Sequence, residues 1–176
     1  MFDKRFMHES SVRVPLASRY PKLTKAGSST QKMVIAQGIT PTVLEMAGVK
    51  VPQAMQGRSP VPLMKGNENG WRKDWFYEYY ENPGPFNIPK HRGIRTERYK
   101  LVEYYEQEPV EYEIYDLESD RDELTDLHDS PKYRDLTLEL LKRMMELREE
   151  TGEIRCQLVS IVISTSGGIS GRNIHG

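Results

Sequence analysis

The sequence predicts an α/β fold of the α+β kind, in which one C-terminal helix covers a small antiparallel sheet. Strand-like segments at 91–96, 99–105 and 112–117 follow one another closely. Their connections are turn-like, which favours an antiparallel meander. Apolar residues between Tyr133 and Leu147 fall mostly three or four positions apart, as on one side of a helix. Such a helix needs a surface to cover, and the preceding sheet is the nearest candidate.

The first predicted element is a strand at 12–20. Pro15 lies inside it and cannot donate a ladder hydrogen bond, so this strand is expected to be short, or to lie at an edge or a bulge. Residues 22–31 are predicted to form a loop, because Gly27 is followed by Ser28, Ser29 and Thr30.

A short helix is predicted at 42–47. Thr40 is a suitable N-cap, and Pro41 is tolerated at the first helical position because an N–H there has no partner in any case. Gly48 is placed to end the helix. Residues 50–74 are rich in Gly, Pro and Asn, which predicts an irregular linker.

An aromatic segment at 75–80 opens the second part of the chain. Its side chains are typical of core and cross-strand packing in a strand, with a carbohydrate-binding platform as the alternative. In the meander that follows, apolar residues such as Ile94, Leu101 and Ile114 are expected to face the core, and their charged neighbours to face water. The charged residues between 118 and 130 predict a solvated acidic loop.

These elements divide the chain into three parts: residues 1–74, a small sheet-plus-helix subdomain at 75–152, and a tail at 153–176. The tail contains no acidic residue after Cys156, unlike the segment before it. A foreign extension, a reading-frame artefact and a genuine edge strand are all compatible with that composition.

Composition excludes several classes of protein. The 25 Lys and Arg against 26 Asp and Glu give a formal net charge of -1, which argues against a dedicated nucleic-acid binder. No apolar stretch is long enough to predict a membrane span. The single cysteine, Cys156, excludes an internal disulfide, and the scattered histidines offer no metal-site spacing, so no metal ligand is predicted in the chain. The start of the chain lacks the apolar core of a signal peptide.

Five segments, in order along the chain, resemble segments of the sulfatase family. They are residues 4–15, 41–49, 55–59, 91–101, and 112–117 followed by 122–127. Together they lie within roughly residues 3–150, so the resemblance covers most of the chain and leaves out the tail. It implies the C-terminal portion of a sulfatase, with residues 1–74 as the end of an alkaline-phosphatase-like α/β domain.

The same resemblance implies a chemistry. In the family, a Cys or Ser within a C/S-x-P-x-R motif becomes formylglycine, and Ca²⁺ held by Asp and Asn or His neutralises the sulfate oxygens. This chain has no such motif, and Cys156 is followed by Gln157 and Leu158, so it is not the nucleophile. We therefore expect the nucleophile and the Ca²⁺ ligands to lie before Met1, and the chain alone to be inactive.

The resemblance also implies the partner, which is a sulfated carbohydrate or an aryl sulfate. It further suggests a periplasmic, secreted or lysosomal location. Two alternatives to an enzyme portion are a non-catalytic carbohydrate-binding module and a structural fragment without an independent role.

Lys4 is the catalytic candidate, because in the family the lysine at this place reaches the sulfate and the bridging oxygen. A sulfate ester develops negative charge on its leaving oxygen as the S–O bond breaks. A fixed ammonium in a dry pocket stabilises that charge more in the transition state than in the ground state.

His91 is the substrate-binding candidate. The resemblance places it where related glycan sulfatases present side chains of the C-terminal subdomain to the sugar, and an imidazole can hydrogen-bond a hydroxyl near neutral pH. Glu9 and Arg13 are expected to form a structural ion pair.

Overall fold

The computed structural model of the chain describes residues 5–81 and 88–152. Its α-helices are α1 (Glu9–Val12), α2 (Ile39–Met46), α3 (Val61–Met64) and α4 (Arg134–Glu150). Its strands are β1 (Asp74–Tyr79), β2 (His91–Thr96), β3 (Tyr99–Tyr104) and β4 (Glu111–Asp116). Single 3₁₀ turns at Ala36–Gly38 and Pro131–Tyr133 lead into α2 and α4. None of the helices in this part of the chain is long and apolar enough to cross a membrane.

The predicted meander is confirmed. The four strands form one antiparallel sheet in the order β1-β2-β3-β4. The register places Phe76, Ile94, Leu101 and Ile114 side by side across the sheet, on one face. Because side chains alternate along a strand, this register assigns every neighbouring residue to the opposite face.

Helix α4 covers the apolar face of the sheet, as the periodicity of its sequence predicts. Ile94, Leu101 and Ile114 are fully buried, and they form one cluster with the helix residues Leu140 and Met144. The stripe repeats every three or four residues, so it faces the sheet along the length of the helix. This cluster is the core of the subdomain.

The predicted strand at 12–20 is wrong. Helix α1 ends at Val12, and residues 13–20 belong to no strand. Val14 and Leu16 are 68% and 59% exposed. A strand needs a neighbour to satisfy its backbone groups, and no strand in the described part of the chain pairs with this segment.

Helix α2 begins earlier than predicted, at Ile39, and no side chain caps its first turn, so Thr40 is not the N-cap. The Thr42 hydroxyl instead donates to the carbonyl of Gly38, within the first turn. The predicted end of the helix is confirmed. Gly48 has a φ of 73°, a conformation that costs glycine little and other residues more.

The segment predicted as an irregular linker, residues 50–74, is more ordered than expected. It contains α3, whose Val61 and Leu63 are buried. Trp71 is 6% exposed, and its indole N–H donates to the carbonyl of Met33 at 2.8 Å. The prediction relied on Gly, Pro and Asn content, and proline at the start of a helix is compatible with helix formation.

The predicted parts 1–74 and 75–152 remain a prediction as domains. The tail at 153–176, including Cys156, lies outside the described residues. The catalytic candidate Lys4 also lies outside them.

Candidate functional site

The second face of the sheet carries the polar and aromatic side chains, and residues 5–12 cover it. We call these residues the N-terminal segment. Met7 is its anchor, because its side chain is 2% exposed and packs with Val102 and Tyr104. The Tyr77 hydroxyl donates to the carbonyl of Arg5 at 3.0 Å. The N-terminal segment is therefore held by the sheet from its first described residue.

Gly93 in β2 allows this close approach. A Cβ atom at position 93 would lie 2.6 Å from the Met7 sulfur and 2.4 Å from the carbonyl oxygen of Leu101. Both distances are well inside van der Waals contact, so any larger residue would displace the segment or the strand.

His91, at the start of β2, lies in an aromatic cluster beneath the N-terminal segment. Its ring stacks on Phe6 with centroids 5.8 Å apart and on Tyr79 at 5.3 Å. Tyr77 and Tyr104 approach the ring at 5.7 and 5.6 Å. The ring nitrogen Nδ1 lies 2.9 Å from the carbonyl of Pro89, so a neutral imidazole protonated there donates to it. We call these five rings the aromatic cluster.

The position of His91 differs from the expected presentation to a sugar. The side chain is 0% exposed, with Phe6 on one side and Tyr79 on another. A contribution of His91 to substrate binding therefore stays a prediction. In this structure its contacts support Phe6, two positions after Lys4.

Acid is expected to destabilise the chain through His91. Burial lowers the pKa of His91, so near pH 6 the unfolded chain binds more protons than the folded one. Stability is then fully present above about pH 6.5 and is lost as the pH falls toward the folded pKa, by at most about 1.4 kcal/mol per pH unit for one proton. Urea denaturation of the 176-residue chain between pH 7 and pH 5 measures this loss.

His91→Phe is the matched variant, because it keeps a planar ring and cannot titrate. Burial also lowers the pKa of His8, so the variant is expected to lose part of the acid dependence and His8→Asn another part. Equal acid dependence in wild type and His91→Phe would contradict this assignment.

A buried set of charges lies beside the aromatic cluster. Lys100 in β3 is 0% exposed, and its ammonium contacts the Glu123 carboxylate and donates to the carbonyl of Met7. Its Nζ also lies 3.8 Å from Oε1 of Glu9. The second carboxylate oxygen of Glu123 accepts from the backbone N–H of Glu9 at 2.7 Å and lies 3.6 Å from Nδ1 of His8.

Two pKa shifts follow from this arrangement. Burial lowers the pKa of Lys100 to about 8, although the Glu9 carboxylate acts against the shift. Burial alone would raise the pKa of Glu9, but the hydrogen bond and charge of Arg95, with the charge of Lys100, hold it below its usual value. Both groups are therefore largely charged at neutral pH.

The partner expected for Glu9 is corrected. Its carboxylate binds the guanidinium of Arg95, with Nη2 at 3.1 Å from Oε2 and Nε at 3.3 Å from Oε1. Arg13 is exposed. The strand predicted for 12–20 placed Arg13 beside Glu9, whereas α1 turns the chain so that Glu9 faces the sheet.

The expectation that charged residues face water is also wrong on this face. Lys100 is fully buried, and the side chain of Glu123, within the predicted solvated loop, is 3% exposed. Strand alternation gives the correct face for Lys100, but only the position of the N-terminal segment shows that this face is covered. No signal in the sequence near Glu123 distinguishes it from the other acids of the loop.

The described residues do not fit a Ca²⁺ site. Among residues 5–81 and 88–152, no group of three or more His, Cys, Asp or Glu side chains could hold a metal ion. Two acids near the second face are engaged by cations, Glu9 by Arg95 and Glu123 by Lys100. No step is therefore assigned to an ion held by these residues.

The aromatic residues of β1 behave as the packing interpretation predicts. Phe76 packs against the core under α4, while Trp75 and Tyr77 pack with Met7 on the second face. Tyr80, just after the strand, is 71% exposed. The strand therefore presents no row of exposed rings such as a carbohydrate platform requires.

Comparisons with known proteins show the family of this chain. The model of the family "N-sulphoglucosamine sulphohydrolase, C-terminal" matches residues 1–150. N-acetylglucosamine-6-O-sulfatase of Bacteroides thetaiotaomicron is 39% identical over 153 residues, which cover 85% of this chain and 26% of that protein. Arylsulfatase K of Homo sapiens is 29% identical, covering 81% of this chain and 27% of its own length. The chain spans about a quarter of the length of these curated relatives.

A solved structure is similar over most of the chain. It holds a protein in complex with its substrate, D-glucosamine-2-N,6-O-disulfate. The similarity has a TM-score of 0.82 at 35% identity and covers 87% of this chain and 31% of that one.

Proposed function

Because this chain belongs to the N-sulphoglucosamine sulphohydrolase C-terminal family, and corresponds to the C-terminal portion of a sulfatase, we propose that it serves in the hydrolysis of sulfate esters of sugars. The observation that carries the proposal is the N-terminal segment on the second face. This segment begins at Arg5, directly after Lys4. Side chains of the sheet contact it through the Tyr77 hydroxyl, the Lys100 ammonium and the His91 ring.

Lys4 is the catalytic residue of this proposal. As the bond between sulfur and the sugar oxygen breaks, the oxygen gains negative charge until it takes up a proton. The ammonium of Lys4 stabilises this charge and hydrogen-bonds the oxygen, which lowers the barrier rather than only strengthening binding. In this proposal, a formylglycine nucleophile and a Ca²⁺ ion held by residues outside this chain would supply the attack on sulfur and the neutralisation of the sulfate oxygens.

The sheet holds residues 5–12, and in this proposal that support also serves Lys4, the residue directly before them. Fixing a catalytic group before substrate arrives removes an entropic cost from the chemical step. In this proposal His91 contributes to substrate binding indirectly, by stacking on Phe6 and holding the N-terminal segment in place. Met7 fills the space over Gly93 and sets the height of the segment above the sheet.

We propose a sulfated amino sugar as the substrate class. The support is the printed activity of the Bacteroides thetaiotaomicron relative, an N-acetylglucosamine-6-O-sulfatase, and the substrate of the similar solved protein, a glucosamine disulfate. An aryl sulfate is the second substrate to test, because arylsulfatase K is also similar.

A chimera tests the proposal. Residues 1–152 replace the matching portion of the Bacteroides thetaiotaomicron relative, and sulfate release from N-acetylglucosamine 6-sulfate is measured. We expect turnover, with a lower rate on an aryl sulfate. A chimera that melts cooperatively at the temperature of the parent enzyme but releases no sulfate from either substrate would contradict the proposed function.

A further inference from the structure

We propose that Lys100 and Glu123 form a charged clamp that positions the backbone of residues 7–9, and through it Lys4, for catalysis. The link to Lys4 rests on the proposed function. Lys100 and Glu123 are 23 positions apart in the sequence, on β3 and on the loop after β4, and they meet under the N-terminal segment. Neither touches the substrate in this proposal, so both are positioning residues.

Glu123 is held in an unfavourable backbone conformation. Its φ is 57°, in the left-handed region that a residue with a Cβ enters at a cost in free energy. Its side chain is 3% exposed, and the carboxylate accepts a hydrogen bond from the backbone N–H of Glu9 at 2.7 Å. The loop therefore tolerates a strained residue, and that residue places a buried charge against the start of α1.

Lys100 approaches the same stretch from the sheet. Its fully buried ammonium donates to the carbonyl of Met7, two positions before the N–H that Glu123 accepts. The carbonyl of Met7 and the N–H of Glu9, two positions apart, are thus each bound to a charged side chain, and those two side chains contact each other. Charge-assisted hydrogen bonds of this kind are shorter and stronger than neutral ones, so they hold these two backbone groups at defined distances.

Stability alone does not explain the pair. A buried ion pair is often no more stabilising than two apolar side chains of the same volume, whereas removal of one partner leaves a buried charge and is strongly destabilising. An apolar pair at positions 100 and 123 could fill the space, but it would leave the Met7 carbonyl and the Glu9 N–H without these partners. What the charged pair adds is a fixed backbone at residues 7–9.

The experiment compares Lys100→Met, the double variant Lys100→Met with Glu123→Met, and Glu123→Gln. Melting temperature and hydrogen exchange are measured on the 176-residue chain, and kcat and KM on the chimera. Lys100→Met is expected to melt lower. The double variant is expected to recover part of that loss, because it removes the unpaired buried charge but leaves the Met7 carbonyl and the Glu9 N–H without these partners. The amides of residues 8–12 should exchange at least about tenfold faster than in wild type, while those of β3 and α4 do not.

In the chimera, the double variant is expected to lower kcat by about 10- to 100-fold with little change in KM. Glu97→Gln is the matched control, since Glu97 forms a half-exposed pair with Lys32 at 2.9 Å, and it is expected to change neither quantity. Glu123→Gln keeps an acceptor for the Glu9 N–H, so it is expected to speed exchange of residues 8–12 less than the double variant does. Glu123→Gln replaces the double variant in this test if the double variant does not fold.

A double variant that recovers melting temperature, exchange and kcat together would overturn the clamp. Unchanged exchange of residues 8–12 in Glu123→Gln would also overturn it if the double variant does not fold. An inactive wild-type chimera would count against the proposed function and remove the link to Lys4. The exchange measurements would still decide whether the clamp fixes residues 7–9.

Discussion

Lys4→Ala in the chimera is expected to lower kcat on N-acetylglucosamine 6-sulfate by about 100- to 1000-fold, with a much smaller change in KM. The ammonium acts on charge that develops only as the S–O bond breaks, so its loss raises the barrier of the chemical step. The alkoxide of a sugar is a poor leaving group, so the reaction depends strongly on stabilisation of its negative charge. Steady-state sulfate release measures both parameters.

Two controls accompany this variant. Lys4→Arg keeps a positive charge with a different shape and is expected to retain part of the activity. Lys22→Ala removes an exposed lysine of the same chain and is expected to have no effect. If Lys4→Ala retained full kcat while the chimera remained folded, Lys4 would not be a catalytic residue.

Met144→Ala is expected to produce the largest loss of stability from a single truncation in α4. Met144 is 1% exposed and lies in the core with Ile94, Leu101 and Ile114. Truncating a buried methionine removes apolar contacts and leaves a cavity, which costs about 2–5 kcal/mol of unfolding free energy. Urea denaturation of the 176-residue chain, followed by far-UV circular dichroism, measures the change.

Met145→Ala is the matched control, one position further along the same helix. Its side chain is 45% exposed, and alanine has a high helix propensity, so we expect a change of less than about 0.5 kcal/mol. Equal losses in the two variants would show that α4 does not pack on the sheet through Met144.

Strands β2, β3 and β4 and helix α4 could be predicted from the sequence because their signals are local. The turns between the strands are short, and the apolar side chains of α4 repeat over four turns of helix. Ile94, Leu101 and Ile114 were predicted to be core on alternation alone, and all three are fully buried. Elements of this kind need little information from distant residues.

The second face could not be predicted, because it depends on contacts over long distances in the sequence. Met7 and Lys100 are separated by 93 positions, and Glu9 and Glu123 by 114. The strand predicted at 12–20 relied on apolar residues such as Val14 that no described residue covers. Lys100 looks like an ordinary water-facing strand residue until the N-terminal segment is placed over it.

The placement of His91 illustrates the same limit. Its position at the start of β2 was predicted correctly, but the burial of its ring depends on Phe6 and Tyr79, which come from other elements. The family resemblance assigned it to the substrate side without showing whether it is exposed. The catalytic role proposed for Lys4 is based on the family resemblance and on the contacts that hold the N-terminal segment directly after it.

The leaving-group dependence of the Lys4→Ala effect tests the role of the lysine most directly. The ratio of wild-type to variant kcat/KM is measured on the chimera for sulfates of a nitrophenol, a simple phenol and N-acetylglucosamine. A lysine that stabilises the leaving oxygen predicts a ratio that rises steadily from the nitrophenol to the sugar, because a more basic leaving oxygen gains more from the ammonium. The same ratio for all three sulfates would contradict that role.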